Sequence, residues 1–88
     1  MIWYKNSIKK EGGKVEVIGY FTSPFDMPEN IIEVKIKHKN KSRKIFVANP
    51  ALGRTEDPLP EDVYAKYHSK ISKIEEMVKK QTIEQLFF

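Results

Sequence analysis

A chain of 88 residues, 40% hydrophobic and 32% charged, has the composition of one folded domain, which excludes wholesale disorder and a second lobe around a deep cleft. The absence of cysteine excludes disulfides, thiolate metal sites and cysteine nucleophiles, so packing alone must supply stability. No apolar run reaches the length of a membrane span, the start lacks the basic-then-apolar layout of a signal peptide, and a cytoplasmic location without membrane partners is expected.

The first half alternates with period two, the signature of half-buried strands. Ile2 to Ile8 and Lys14 to Thr22 are the first two runs, and Gly12-Gly13 between them can supply the positive φ of a hairpin turn. The stretch from Ser23 to Asn30 holds two prolines and several turn formers, so regular structure stops there. It resumes over Ile31 to His38, and Lys39 to Ser42 reads as a turn into a fourth strand over Arg43 to Ala48. In that strand Ile45 and Val47 are expected on the core face, opposite Lys44, Phe46 and Ala48.

Asn49 to Leu59, with two prolines and a glycine, is a connecting loop. From Pro60 the period becomes helical, with Glu61 and Asp62 suited to the positive end of a helix dipole and an apolar stripe at Tyr64, Tyr67, Ile71, Ile74 and Val78. The expected fold class is α+β in the order ββββα: a four-stranded antiparallel sheet with one helix across its apolar face. A curled, partly open barrel closed by the helix is the alternative. Residues 1–80 form the single domain and residues 81–88 an apolar tail.

The tail leaves the helix register. The stripe would continue at 81 or 82 and 85, but these are Gln81, Thr82 and Gln85. Ile83 falls roughly 140° and Phe87 roughly 180° from the direction of Val78, so one straight helix cannot pack all three on the sheet. Ile83, Leu86 and Phe87 instead form their own i, i+3, i+4 triplet. It must be buried at home, buried in a partner, or left exposed.

Thr82-Ile83-Glu84-Gln85-Leu86-Phe87 resembles the sliding-clamp-binding box of DNA replication and repair proteins, particularly its archaeal forms. That box has a glutamine, an aliphatic residue three on, and a pair of large apolar or aromatic residues three further on. The resemblance implies a short helical turn that plugs a hydrophobic pocket on the clamp. Ile83 would be the aliphatic plug and Leu86-Phe87 the pair, with Lys80 in the glutamine slot. A register one residue later puts Gln81 in that slot and Phe87-Phe88 in the pair, with Glu84 in the aliphatic slot. The implied partner is a sliding clamp or a polymerase-type assembly, and the other reading of the tail is a structural one.

Charge is unevenly spread within a net of +4. Lys35, Lys37, Lys39, Lys41, Arg43 and Lys44 lie within ten residues without an acid among them, and could track the phosphates of DNA or RNA or simply solvate a strand. Trp3, Tyr4, Tyr20 and Phe46 are the aromatics that could stack on bases. The phosphate-loop pattern is absent, so no cofactor is expected. His38 and His68 have no carboxylate at metal spacing, so no metal site is expected. Asp57 with Glu61-Asp62 could be imagined as acid and base, but a small domain leaves little room for a catalytic pocket, and an enzyme is not expected.

These observations converge on a non-enzymatic DNA replication or repair accessory protein that docks on a clamp through its tail and contacts nucleic acid through a basic sheet face. The alternatives are a stand-alone nucleic-acid-binding module with a structural tail, a protein-interaction domain or homodimer, and a small toxin ribonuclease using Arg43 and His68.

Overall fold

The computed structural model describes residues 2–22, 30–50 and 59–88. The turn-rich segment expected at 23–30 and the connecting loop expected at 49–59 fall mainly outside the described residues, as does Asp57. Four strands, β1 (Ile2–Lys10), β2 (Gly13–Thr22), β3 (Ile31–His38) and β4 (Lys41–Ala48), precede two helices, α1 (Glu61–Lys80) and α2 (Ile83–Phe87). The strands pair antiparallel in the order β1-β2-β3-β4. Among the described residues β1 and β4 are therefore edges, and the sheet is not closed into a barrel. The ββββα order read from the pattern is the observed one.

The first hairpin closes tightly, Lys10 opposite Gly13, because Gly12 and Gly13 take φ of 97° and 124°, a region closed to most side chains. Val15, Val17, Val34 and Ile36 from the central strands meet Ile71, Ile74 and Val78 from α1 to make the main core. Phe21, Ile32, Leu59 and Tyr67 extend it towards the start of the helix. Tyr64 belongs to the expected stripe but is 38% exposed, because it sits in the first turn of α1, where its ring meets Trp3 edge-on at 5.5 Å.

Two one-residue bulges correct the facing of the outer strands. In β4, Val34 faces Phe46 while Lys35 faces Lys44, so Ile45 is the extra residue. Beyond it the alternation is inverted. Phe46 and Ala48 join the helix side, and Val47, expected in the core, is 48% exposed on the other face. In β1 the register shifts between Ile2 and Tyr4, so both Trp3 and Tyr4 pack on the helix side.

Helix α1 is tied to β1 by polar contacts as well as packing. The Tyr4 hydroxyl donates to Glu75 Oε1 at 2.7 Å, and Asn6 Nδ2 donates to Glu75 Oε2. Burial, then the hydrogen bond to Glu75 and its charge, push the Tyr4 phenol from the ordinary 10.0 up to about 12. The folded state thus keeps a proton that the unfolded chain releases first. The stabilisation is complete below pH 10 and is lost as pH rises towards 12. Chemical denaturation between pH 9 and 12 is expected to show this fall in the native chain and a shallower one in Tyr4→Phe.

Candidate nucleic-acid interface and the docked tail

The face of the sheet that α1 does not cover can be read row by row from the strand register. Ile2, Tyr20, Glu33 and Val47 form one row across the four strands, and Lys5, Ile18, Lys35 and Lys44 form the next. Ser7, Glu16, Lys37 and Ser42 follow, and Lys9 with Lys14 close the face at the first hairpin. Lys5, Lys9, Lys14, Lys35, Lys37 and Lys44 thus share one surface, on which the described residues offer only Glu16 and Glu33 as counter-charges. The register does this, by bringing lysines from both hairpins to the same side.

The counter-charges neutralise only part of the surface. Lys5 Nζ lies 3.3 Å from Glu16, and Glu33 holds Lys44 at 3.1 Å and Lys35 at 3.8 Å. Such exposed pairs contribute at most about 1 kcal/mol each and weaken with salt. Lys9, Lys14 and Lys37 have no ion-pair partner among the described residues. The face therefore keeps a net positive field at its hairpin end. Its other end is partly apolar, where Ile2 and Val47 are exposed and Tyr20 is half-buried.

The six-residue basic cluster read from sequence is divided by the structure. Lys35, Lys37 and Lys44 belong to the open face, whereas Lys39 sits in the β3–β4 turn with φ 54°. Lys41 and Arg43 pair with His38 and Ile36, so they lie on the helix side. There they serve the tail. Arg43 Nη1 donates to the Leu86 carbonyl at 2.9 Å, and Lys41 Nζ stands 3.2 Å from the centroid of the Phe88 ring. The physical reason is period two: successive residues of one strand face opposite ways, so Arg43 and its neighbour Lys44 part company.

The register break at the tail is a real break in the helix. Gln81 and Thr82 are both extended, with ψ of 153° and 163°. Thr82 then starts α2 through a capping box, its hydroxyl accepting from the Gln85 amide at 3.1 Å while the Gln85 side chain accepts from the Thr82 amide at 2.8 Å. The turn reverses onto the sheet, and Leu86 enters the main core at 0% exposure. Ile83 and Phe87 pack at the core's rim, Phe87 against the His38 ring at 5.9 Å. Phe88 remains 81% exposed. Lys80, Gln81, Thr82 and Ile83 line a groove of about 580 Å³ shared with Lys10 and His38.

No protein-family model, curated protein or solved structure matches this chain. His38 Nδ1 donates to the Lys14 carbonyl at 2.9 Å, beneath the tail. His68 lies near the opposite edge between Tyr4 and Tyr64, with ring centroids 5.4 and 5.6 Å away. Arg43 is on β4 and His68 faces β1, so the pair considered for a ribonuclease is not brought together. Among the described residues no group of three or more His, Cys, Asp or Glu is placed to hold a metal, and no helix is long and apolar enough to cross a membrane.

Sequence reasoning missed Lys5, Lys9 and Lys14. Their signal was present, since each alternates with an apolar or helix-facing neighbour, but it became a site only once the hairpin register set them beside Lys35 and Lys37.

Proposed function

We propose that this protein is a small nucleic-acid-binding module that uses the open face of its sheet to track a phosphate backbone. The observation that supports this reading is the gathering of Lys9, Lys14 and Lys37 on a face that the helix leaves uncovered, beside only partly neutralised Lys5, Lys35 and Lys44. Lysine ammonium groups are flexible point charges, so the contact is to phosphates and indifferent to base sequence. Neutralising several phosphates makes affinity fall steeply with salt.

Fluorescence anisotropy with a labelled oligonucleotide tests it. The native chain is expected to bind at low salt with a log–log salt slope of about −2 to −4. The triple variant Lys14→Ala/Lys35→Ala/Lys37→Ala should bind at least about tenfold more weakly, with the slope reduced by about 2. Lys73→Ala, on the exposed side of α1, is the control and should leave both unchanged. Salt-independent binding, or equal losses in the triple variant and the control, would reject the open face as the interface.

A second reading is favoured by the capped turn of Thr82 to Phe87, the local shape that a sliding-clamp box adopts. It would make the protein a replication or repair accessory factor, with Ile83, Leu86 and Phe87 as the docking side chains. Those side chains here face the body, so docking requires the turn to be released. The burial of Leu86, worth about 1.5–3 kcal/mol, then subtracts from clamp affinity. For this reason the open face takes precedence.

A further inference from the structure

We infer that the ligand of the open face is a single strand, with one base stacked on Tyr20 and the adjoining phosphate held by Lys35; this rests on the nucleic-acid reading above. Tyr20 lies on an inner strand with Ile2 beside it on one side and Glu33 on the other, and Val47 stands beyond Glu33 in the same row. Strand geometry puts the next row of that face about 7 Å away. That row holds Lys35, whose Nζ is 5.1 Å from the Tyr20 ring centroid. A stacking surface and a cation therefore stand within about one nucleotide of each other.

The charges on this face are arranged so that Lys35 can be given up. Its ammonium is shared between the Tyr20 ring and Glu33 at 3.8 Å, while the other oxygen of Glu33 keeps Lys44 at 3.1 Å. Moving Lys35 onto a phosphate leaves the Glu33 carboxylate paired and uncovers the face of Tyr20. The remaining lysines, Lys37, Lys14 and Lys9, continue away from the ring towards the first hairpin and supply a track for the next phosphates. Apolar and aromatic surface at one end with cations along the rest suits an unstacked base followed by its backbone. A duplex keeps its bases stacked inside and offers Tyr20 no π-face.

The test compares labelled single strands of about 12 nucleotides, in DNA and RNA forms, with the corresponding duplex. The single strand is expected to bind at least about fivefold more tightly. Tyr20→Ala should lose about 5- to 100-fold towards the single strand, with the salt slope unchanged. Tyr20→Phe should retain binding, because the π-face is kept. As a readout that needs no variant, the Tyr20 ring protons of the native chain should shift upfield when the single strand is added. Equal or tighter duplex binding, an unaffected Tyr20→Ala variant, or unmoved ring protons would overturn the inference while leaving the backbone reading intact. No salt-dependent binding to any of the oligonucleotides would overturn both.

Discussion

Replacing Leu86 by alanine is expected to destabilise the fold by about 2–5 kcal/mol, lowering the melting temperature by about 10 °C or more. Leu86 has no exposed surface and lies in the main core with Val15, Ile36, Ile71 and Val78. Its truncation removes transfer energy and leaves a cavity that β-strands on one side and α1 on the other can only partly close. The cost has a second part. The α2 turn is held by its capping box, by Arg43 on the Leu86 carbonyl, by the rim contacts of Ile83 and Phe87 and, most deeply, by the buried Leu86 side chain, and a five-residue helix has no stability of its own. Without the anchor the turn should come loose as a unit. Phe88→Ala is the internal control: the ring is largely exposed, with Lys41 over its face, so its loss should cost less than about 1 kcal/mol. Thermal melts of the two variants decide the matter. A Leu86→Ala chain as stable as the native one would mean that the tail is not held on the body, and clamp docking would then become the leading reading.

Gly19→Ala is the second substitution expected to act strongly, at about 1–3 kcal/mol. Gly19 is buried on the helix side of β2, opposite Tyr4. A methyl group there would sit 2.7 Å from Trp3 Cε2 and 2.8 Å from Cζ2, well inside van der Waals contact. The obstacle is a rigid ring and not the end of a flexible chain, so the indole as a whole must move. It packs against both parts of the core and edge-on to Tyr64. Its buried Nε1 has no hydrogen-bond partner among the described residues, so a tilt breaks no polar contact with them. That sets the cost near the middle of the overpacking range. Because the chain has one tryptophan, its fluorescence reports the displacement directly: the emission maximum should shift in Gly19→Ala together with a lower melting temperature. An unchanged spectrum with unchanged stability would show that the site has room to spare.

These two positions also mark the limits of what periodicity can say. The stripe of α1 and the alternation of β3 were legible because each is a strong repeat of one period, and the tail's departure from register was legible because Val78 and Ile83 cannot face one way on a straight helix. Gly19 reads in sequence as a weak point in a strand, and only the register shift at Trp3 explains why a side chain is excluded. The bulge at Ile45 is equally silent. One inserted residue exchanges Val47 for Phe46 in the core, and both are good strand formers, so local preference cannot choose between them. The basic surface was half legible for a related reason. A run of neighbouring lysines in sequence draws the eye, yet strands send successive residues to opposite faces, and the lysines that share the surface come from both hairpins.

The open ends of the sheet have a consequence for how copies of this chain behave towards one another. Among the described residues both edge strands lack a further strand partner, and unpaired edge donors and acceptors are the template on which strands from separate molecules join into aggregates. Each edge carries a bulge, at Trp3 and at Ile45, that interrupts the flat ladder a second copy would need. Each also carries cations, Lys5 and Lys9 on β1 and Lys41, Arg43 and Lys44 on β4. Those side chains keep another molecule's edge at a distance, whatever else they contact. Stripping Lys5, Lys9 and Lys44 would leave the core untouched and the colloidal stability of the protein impaired, whereas Lys35 and Lys37, on an inner strand, guard no edge and can be neutralised without that penalty.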